Sequence, residues 1–216
     1  MLFAAVLTLG TFSPATAQSK EKLIPYGDMN RWVIRNIHES AVIGGNTKTL
    51  YEVGPNQTIN GNKPYSNTGN SPWATSNVMA KVMGVVKTNC SVTRDRHGNG
   101  AKMTTHIESV KVLGLMNIKV LAAGSMFLGS MKEPITSTKD GPKSLNWGIP
   151  FTERPKAIKY DYKVYVPGEK NRIRQTGFSK PSTVAGQDYA ITVLVLQKRT
   201  EDAKGNITAK RVGRMG

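Results

Sequence analysis

Pro150-Phe151-Thr152-Glu153-Arg154-Pro155-Lys156-Ala157-Ile158-Lys159-Tyr160-Asp161-Tyr162-Lys163-Val164-Tyr165-Val166-Pro167-Gly168 decides the fold class. Ile158, Tyr160, Tyr162, Val164 and Val166 alternate with Lys159, Asp161, Lys163 and Tyr165. In an extended chain successive side chains leave on opposite faces, so a period of two marks a half-buried antiparallel strand. The apolar face is expected to meet a core or a groove, and the charged face water. Two readings of Tyr160 and Tyr162 stand: packed core residues, or a flat platform for a hydroxyl-rich ligand.

The same alternation recurs outward from this stretch. Trp32-Val33-Ile34 and Thr49 to Val53 read as short strands, and Asn77 to Thr88 as a long one with Gly84 marking a bulge or a close backbone approach. Ala101 to Leu113 and Ile118 to Leu128 read as strands, the second interrupted at Gly124. Asp188 to Lys198 is apolar on both faces, which predicts a central buried strand. Glu201 to Asn206 reads as a hairpin turn and Ile207 to Val212 as its return strand. Gly54 to Ser76 and Ser137 to Gly148 are crowded with turn formers and read as long loops. Many short strands with regular turn signals predict an all-β sandwich or barrel.

The composition agrees. The 216 residues are 38% hydrophobic and 20% charged, as an ordered globular chain requires. Residues 1–17 carry a short apolar run and an Ala15-Thr16-Ala17 cleavage pattern, expected to be a signal peptide cut after Ala17. Residues 18–30 read as a linker-like segment and 31–216 as one β-sandwich domain. The product is expected to be secreted, periplasmic or at the cell surface. Cys90 is the only cysteine, so neither an internal disulfide nor a cysteine zinc site can form. The net charge of +16 is spread along the chain rather than gathered in one stripe. That distribution argues against nucleic acid and fits a basic surface, with attraction to acidic polymers as the functional alternative. No membrane span is expected.

An ordered set of motifs carries a resemblance. They are Ser71-Pro72-Trp73-Ala74-Thr75-Ser76-Asn77-Val78-Met79-Ala80-Lys81, Ala122-Ala123-Gly124-Ser125-Met126-Phe127-Leu128-Gly129, Ile149 to Ala157, Tyr160-Asp161-Tyr162-Lys163 and Asp188-Tyr189. From about Trp32 to about Lys210 the chain resembles the putative carbohydrate metabolism domain (PCMD) family of secreted proteins from glycan-degrading bacteria. The resemblance implies a jelly-roll β-sandwich like those of carbohydrate-binding modules, and glycan binding. The family continues into further strands ending in V-D-N or V-D-D before an aliphatic strand, whereas this sequence ends at Val212-Gly213-Arg214-Met215-Gly216. One or more C-terminal strands are therefore expected to be missing.

Sugar binding needs aromatic faces for pyranose C–H surfaces and planar polar groups for hydroxyls. The aromatic supply is Trp73, Trp147, Tyr51, Tyr65, Tyr160 and Tyr162. Trp147, Trp73, Arg154, Tyr162, Tyr160 and Asn77 are the expected carbohydrate-binding residues. The competing structural role is plugging the sandwich ends for the tryptophans, core packing for the tyrosines, and an internal ion pair for Arg154. Glycoside hydrolysis needs two carboxylates about 5–10 Å apart across the scissile bond. Glu52, Glu108, Glu133, Glu153 and Asp161 lie on or near strands, yet none forms a recognisable hydrolase motif. His38, His97 and His106 fit no zinc signature, and Gly44-Gly45-Asn46-Thr47-Lys48 lacks phosphate-loop spacing. No cofactor is expected; a structural Ca2+ stays open, without nominated ligands. Three functions compete: non-catalytic glycan binding, a glycoside hydrolase or lyase, and a structural or adhesin-like envelope protein that binds acidic polymers.

Overall fold

A computed structural model describes residues 21–97, 99–112, 116–137, 142–166, 172–175 and 180–215. The expected signal peptide and its cleavage site lie outside these residues. The chain is all-β, with open sheets consistent with a β-sandwich. The pairings among the described residues leave the jelly-roll strand order untraced.

Much of the buried core lies on one three-stranded sheet. β1 (Trp32–His38) pairs antiparallel with β2 (Thr47–Val53) and parallel with β3 (Gln57–Asn60), giving the order β2-β1-β3. Each strand runs longer than its hydrophobic signal, because His38↔Thr47 and Asn36↔Asn60 pairings extend the ladders through polar residues. The expected loop Gly54 to Ser76 in fact contains β3 and β4 (Trp73–Thr75). Both are short and polar at the ends, and only their partners reveal them.

Asn77 to Thr88 is not one strand. It is a hairpin of β5 (Val78–Val82) and β6 (Val85–Asn89). Met83 and Gly84 take φ of +50° and +80°, the pair of positive values that a two-residue turn matched to strand twist demands. Gly84 is thus a turn residue rather than a bulge. Next come a second hairpin, β7 (Val92–Arg94) with β8 (Ala101–Met103), and a third, β9 (His106–Val112) with β10 (Met116–Ala122). The expected strand from Ala101 is therefore split by Thr104 and Thr105. Gly124 does interrupt the following stretch: a Cβ there would lie 2.4 Å from the Thr104 backbone nitrogen.

β11 (Met126–Met131) lies between β4 and β12 (Leu145–Trp147), giving the order β12-β11-β4. Gly129 takes φ +145°, and a Cβ built on it would sit 2.1 Å from the Asn146 carbonyl oxygen. Only glycine permits that approach. Gly129→Ala is expected to cost about 2–3 kcal/mol, read as a lowered urea midpoint at unchanged slope. An unshifted midpoint would show that β11 and β12 can part without loss.

The core lies beneath these N-terminal sheets. One cluster holds Ile37, Leu50, Met79 and Val86, and another Trp32, Val53 and Val92 with Tyr51 and Trp73 packed on it. The C-terminal third differs. β13 (Ile173–Arg174) pairs with β14 (Ser182–Thr183), and β15 (Leu194–Glu201) with β16 (Ile207–Met215). The turn between β15 and β16 is held by Asp202, whose Oδ1 accepts from the backbone amides of Lys204 (2.9 Å) and Asn206 (2.8 Å).

Asp188 to Lys198 is not a central buried strand: 188–193 is unpaired and exposed, and β15 has β16 as its only partner among the described residues. The stretch 156–166 belongs to no strand and is exposed through Tyr165. Its alternation does place the Tyr160 and Tyr162 rings together, centroids 5.6 Å apart. Alternation assigns side chains to faces; a strand also needs a neighbouring ladder, which no residue within the stretch specifies.

Candidate functional site

Two polar assemblies lie on opposite faces of the β2-β1-β3 sheet. On the inner face Arg35 is fully buried between two carboxylates. Its Nη1 donates to Glu52 Oε1 (3.0 Å) and Glu133 Oε1 (3.1 Å), and its Nη2 to Glu133 Oε2. Glu133 also accepts from the backbone amides of Tyr65 (2.9 Å) and Met79 (2.8 Å), and Glu52 from the Thr75 hydroxyl (2.7 Å). The Arg35 guanidinium lies 4.9 Å from the centre of the Tyr65 ring.

One cation serves two buried carboxyl groups. Burial pushes the Glu52 carboxyl up to about 8; the Glu133 charge adds to the rise, while Thr75 and Arg35 oppose it. Burial, reinforced by Glu52, pushes the Tyr65 hydroxyl up to about 12. That hydroxyl is buried and meets no hydrogen-bond partner at standard geometry among the described residues, although Thr68 beside it opposes the rise. The cavity beside these groups holds about 10 Å³, room for roughly one solvent molecule and far less than a sugar ring. Glu52 and Glu133 therefore stand against Arg35 in the interior and do not flank an open cleft, as a hydrolytic pair must.

The outer face opens into a groove of about 1030 Å³. Strand register builds its floor: Ile34 faces Tyr51 on β2 and Thr58 on β3, so the three side chains form one row across the sheet. The next row on the same face is polar, with Asn36 set between Thr49 and Asn60. Asn36 donates to the Asn60 side chain (2.9 Å) and accepts from the Thr49 hydroxyl (3.0 Å). Asn30, Asn56 and Gln57 rim one side of the groove; the β7–β8 hairpin forms the other with Thr93, Arg94, Arg96 and Lys102. Asp95 is the only carboxylate in the lining.

The expected site residues are dispersed. Asn77 is buried and fully engaged: its amide donates to the Tyr51 (2.6 Å) and Val92 (2.7 Å) carbonyls and its oxygen accepts from the amides of Ser91 and Val92. It clamps β2 to β7 and has nothing left for a ligand. Trp73 is half-buried against the Trp32 cluster, and its indole donates to the Pro25 carbonyl (2.9 Å). Trp73 and Trp147 pair with consecutive residues of β11, Leu128 and Gly129, and so fall on opposite faces of that sheet. Trp147 is 53% exposed and rests on Phe127, centroids 4.3 Å apart. The missing side chain of Gly129, on the same face, allows that stacking, and Arg199 donates to the Trp147 carbonyl (2.8 Å). Tyr160 and Tyr162 are 49% and 76% exposed, so they are not core residues. Arg154 is exposed and takes no internal carboxylate among the described residues; its neighbour Glu153 pairs with Lys22 instead.

The family model of the putative carbohydrate metabolism domain matches residues 46–211. The chain belongs to this family. No curated protein and no solved structure matches it. In this PCMD chain the matched span includes β2, β3 and the β7–β8 hairpin, which with β1 line the groove. Among the described residues no three His, Cys, Asp or Glu side chains converge on a possible metal position, and no helix is long and apolar enough to cross a membrane.

Of the groove, the sequence had offered only Tyr51 as a candidate aromatic. Asn56, Gln57 and Thr58 read as loop, and Arg94 to Arg96 lie between the expected strands Asn77 to Thr88 and Ala101 to Leu113. The available signal was the clustering of amides and guanidines in two supposed loops, which carries meaning only once β1 draws both beside Tyr51.

Proposed function

We propose that this PCMD protein binds glycan without cleaving it, in the outer groove of the β2-β1-β3 sheet. The observation that carries this reading is the composition of the groove lining: an apolar and aromatic floor, flanking amides and hydroxyls, and a single carboxylate. Ile34 and the Tyr51 ring suit the C–H face of a pyranose, and Asn30, Asn56 and Gln57 offer paired donors and acceptors to its hydroxyls. The carbohydrate metabolism of the family name supports the same reading. Action outside the cytoplasm is part of the proposal, supported by the apolar run and Ala15-Thr16-Ala17 pattern at residues 1–17.

Affinity-gel electrophoresis across a polysaccharide panel tests it. Tyr51→Ala is expected to weaken retention about tenfold, as loss of about 1–1.5 kcal/mol of aromatic contact implies. No retention on any polymer would refute the reading. Reducing sugar released by the wild type would replace it with hydrolysis or lysis.

A second reading has its own observations: Trp147 on Phe127 and, separately, the Tyr160–Tyr162 pair each present exposed aromatic rings. Trp147, Tyr160, Tyr162 and Arg154 are the proposed contacts of that reading. Trp147→Ala separates the two readings, since a loss larger than that of Tyr51→Ala assigns primary binding to the tryptophan.

A further inference from the structure

We propose that the groove is selective for anionic glycan, with Arg94, Arg96 and Lys102 of the β7–β8 hairpin receiving the carboxylate or sulfate groups of an acidic polysaccharide. This rests on the reading of the groove as a glycan site and adds the chemical class of its ligand. The two sides of the groove differ in charge. Asn30, Asn56 and Gln57 on one side are neutral, while the hairpin side carries three cations against one carboxylate. That carboxylate does not neutralise them. Asp95 is half-buried, and its Oδ1 accepts from the Arg96 backbone amide (2.8 Å) rather than from a guanidinium.

Among the described residues none of the three cations makes an ion pair, whereas other basic side chains find partners. Lys87 reaches Glu39 (3.2 Å) and Glu108 (3.5 Å), and Arg35 holds Glu52 and Glu133. Register explains the placement. Thr93 faces Lys102, so the ammonium group and a hydroxyl share one face of the hairpin, and Arg94 pairs with Ala101 at the entrance to the turn that carries Arg96. Two exposed guanidiniums two residues apart offer planar donor forks, which match carboxylate and sulfate oxygens better than they match neutral hydroxyls. Nucleic acid fits less well. The cations line one side only, and Tyr51 is the single partly exposed aromatic in the lining, so no stacking platform for successive bases exists there.

The experiment compares one polymer in two forms, polygalacturonate before and after reduction of its carboxyl groups, by isothermal titration at fixed ionic strength. A sulfated galactan and single-stranded DNA serve as further ligands. The wild type is expected to bind the acidic form at least about tenfold more tightly than the reduced form. In Arg94→Gln/Arg96→Gln, checked for an unchanged thermal midpoint, that ratio is expected to fall towards one. Lys210→Ala, a charge removed far along the sequence on β16, is expected to leave the ratio as it was. A stronger preference for the sulfated polymer, lost in the same double variant, would name sulfate rather than carboxylate as the anion. Equal affinity for both forms would overturn the anionic selectivity while leaving the glycan reading intact. Absence of binding to any glycan would overturn the glycan reading itself. Equal loss of selectivity in Lys210→Ala would assign the effect to net charge and overturn the site, as would tighter binding of single-stranded DNA with the same arginine dependence.

Discussion

Arg35→Met is expected to cost about 3–5 kcal/mol at neutral pH, a large share of the stability of an ordinary domain. The side chain is fully buried, and among the described residues its guanidinium is the only cation in contact with Glu52 and Glu133. Methionine fills much of the volume but leaves the buried Glu52 and Glu133 carboxyl groups without their guanidinium partner. Arg35→Lys keeps a charge but cannot donate to Glu133 through two nitrogens while reaching Glu52, so an intermediate loss is expected. Urea unfolding followed by circular dichroism measures both. The loss in Arg35→Met should shrink on acidification, because protonated carboxyls no longer need a cation. A midpoint within error of wild type at pH 7 would show that the triad does not hold the sheet.

The second large effect is a stability that falls as pH rises. Folding raises the Glu52 pKa from 4.5 to about 8, so between these values the folded state keeps a proton that the unfolded chain gives up. The contribution is therefore fully present below about pH 4.5 and is lost as pH climbs towards 8. A tenfold difference in proton affinity between the folded and unfolded chain is worth about 1.4 kcal/mol, so several kcal/mol are at stake over the window. Glu39 works in the opposite sense but elsewhere. Burial opposes its charge, yet hydrogen bonds from Thr88 and Lys87 more than offset this and hold it below 4.5, so its contribution is lost only as pH falls below that value. Unfolding free energies at pH 5, 6, 7 and 8 should decline in the wild type. Glu52→Gln mimics the protonated form and can still accept from Arg35, so it should flatten the decline and exceed the wild type at pH 8. A wild-type profile that is flat or rising from pH 5 to 8 would contradict the buried-proton account.

These effects come from residues whose roles differ in legibility. Glu52 and Glu133 are recognisable in the sequence as acidic residues near strands, 81 positions apart. Nothing in their neighbours announces that both face Arg35. β1 was legible because Trp32, Val33 and Ile34 are apolar, but the charged Arg35 continues the strand on its buried face. That placement is the reverse of what alternation suggests for a cation, and it is stable only because two carboxylates come to it from elsewhere in the chain. The Met83-Gly84 turn was hidden for a different reason: apolar Val82 and Val85 flank it, so the hydrophobic run reads through the hairpin.

The tyrosine stretch at 150–168 shows the opposite failure. Its alternation is the cleanest in the chain, yet its described part, 150–166, has no partner strand among the described residues. The same holds for 188–193, whose apolar residues stand exposed.

By itself the sequence determined the β class, the turn at 201–206, the interruption at Gly124 and the family, because each depends on local periodicity, on backbone permissiveness or on an ordered set of motifs. Which strands pair was decided only in three dimensions, because pairing is a contest among distant segments for the same backbone hydrogen bonds. The groove follows from that contest. Ile34, Tyr51 and Thr58 become one floor, and Arg94, Arg96 and Lys102 one wall, only when register sets them side by side.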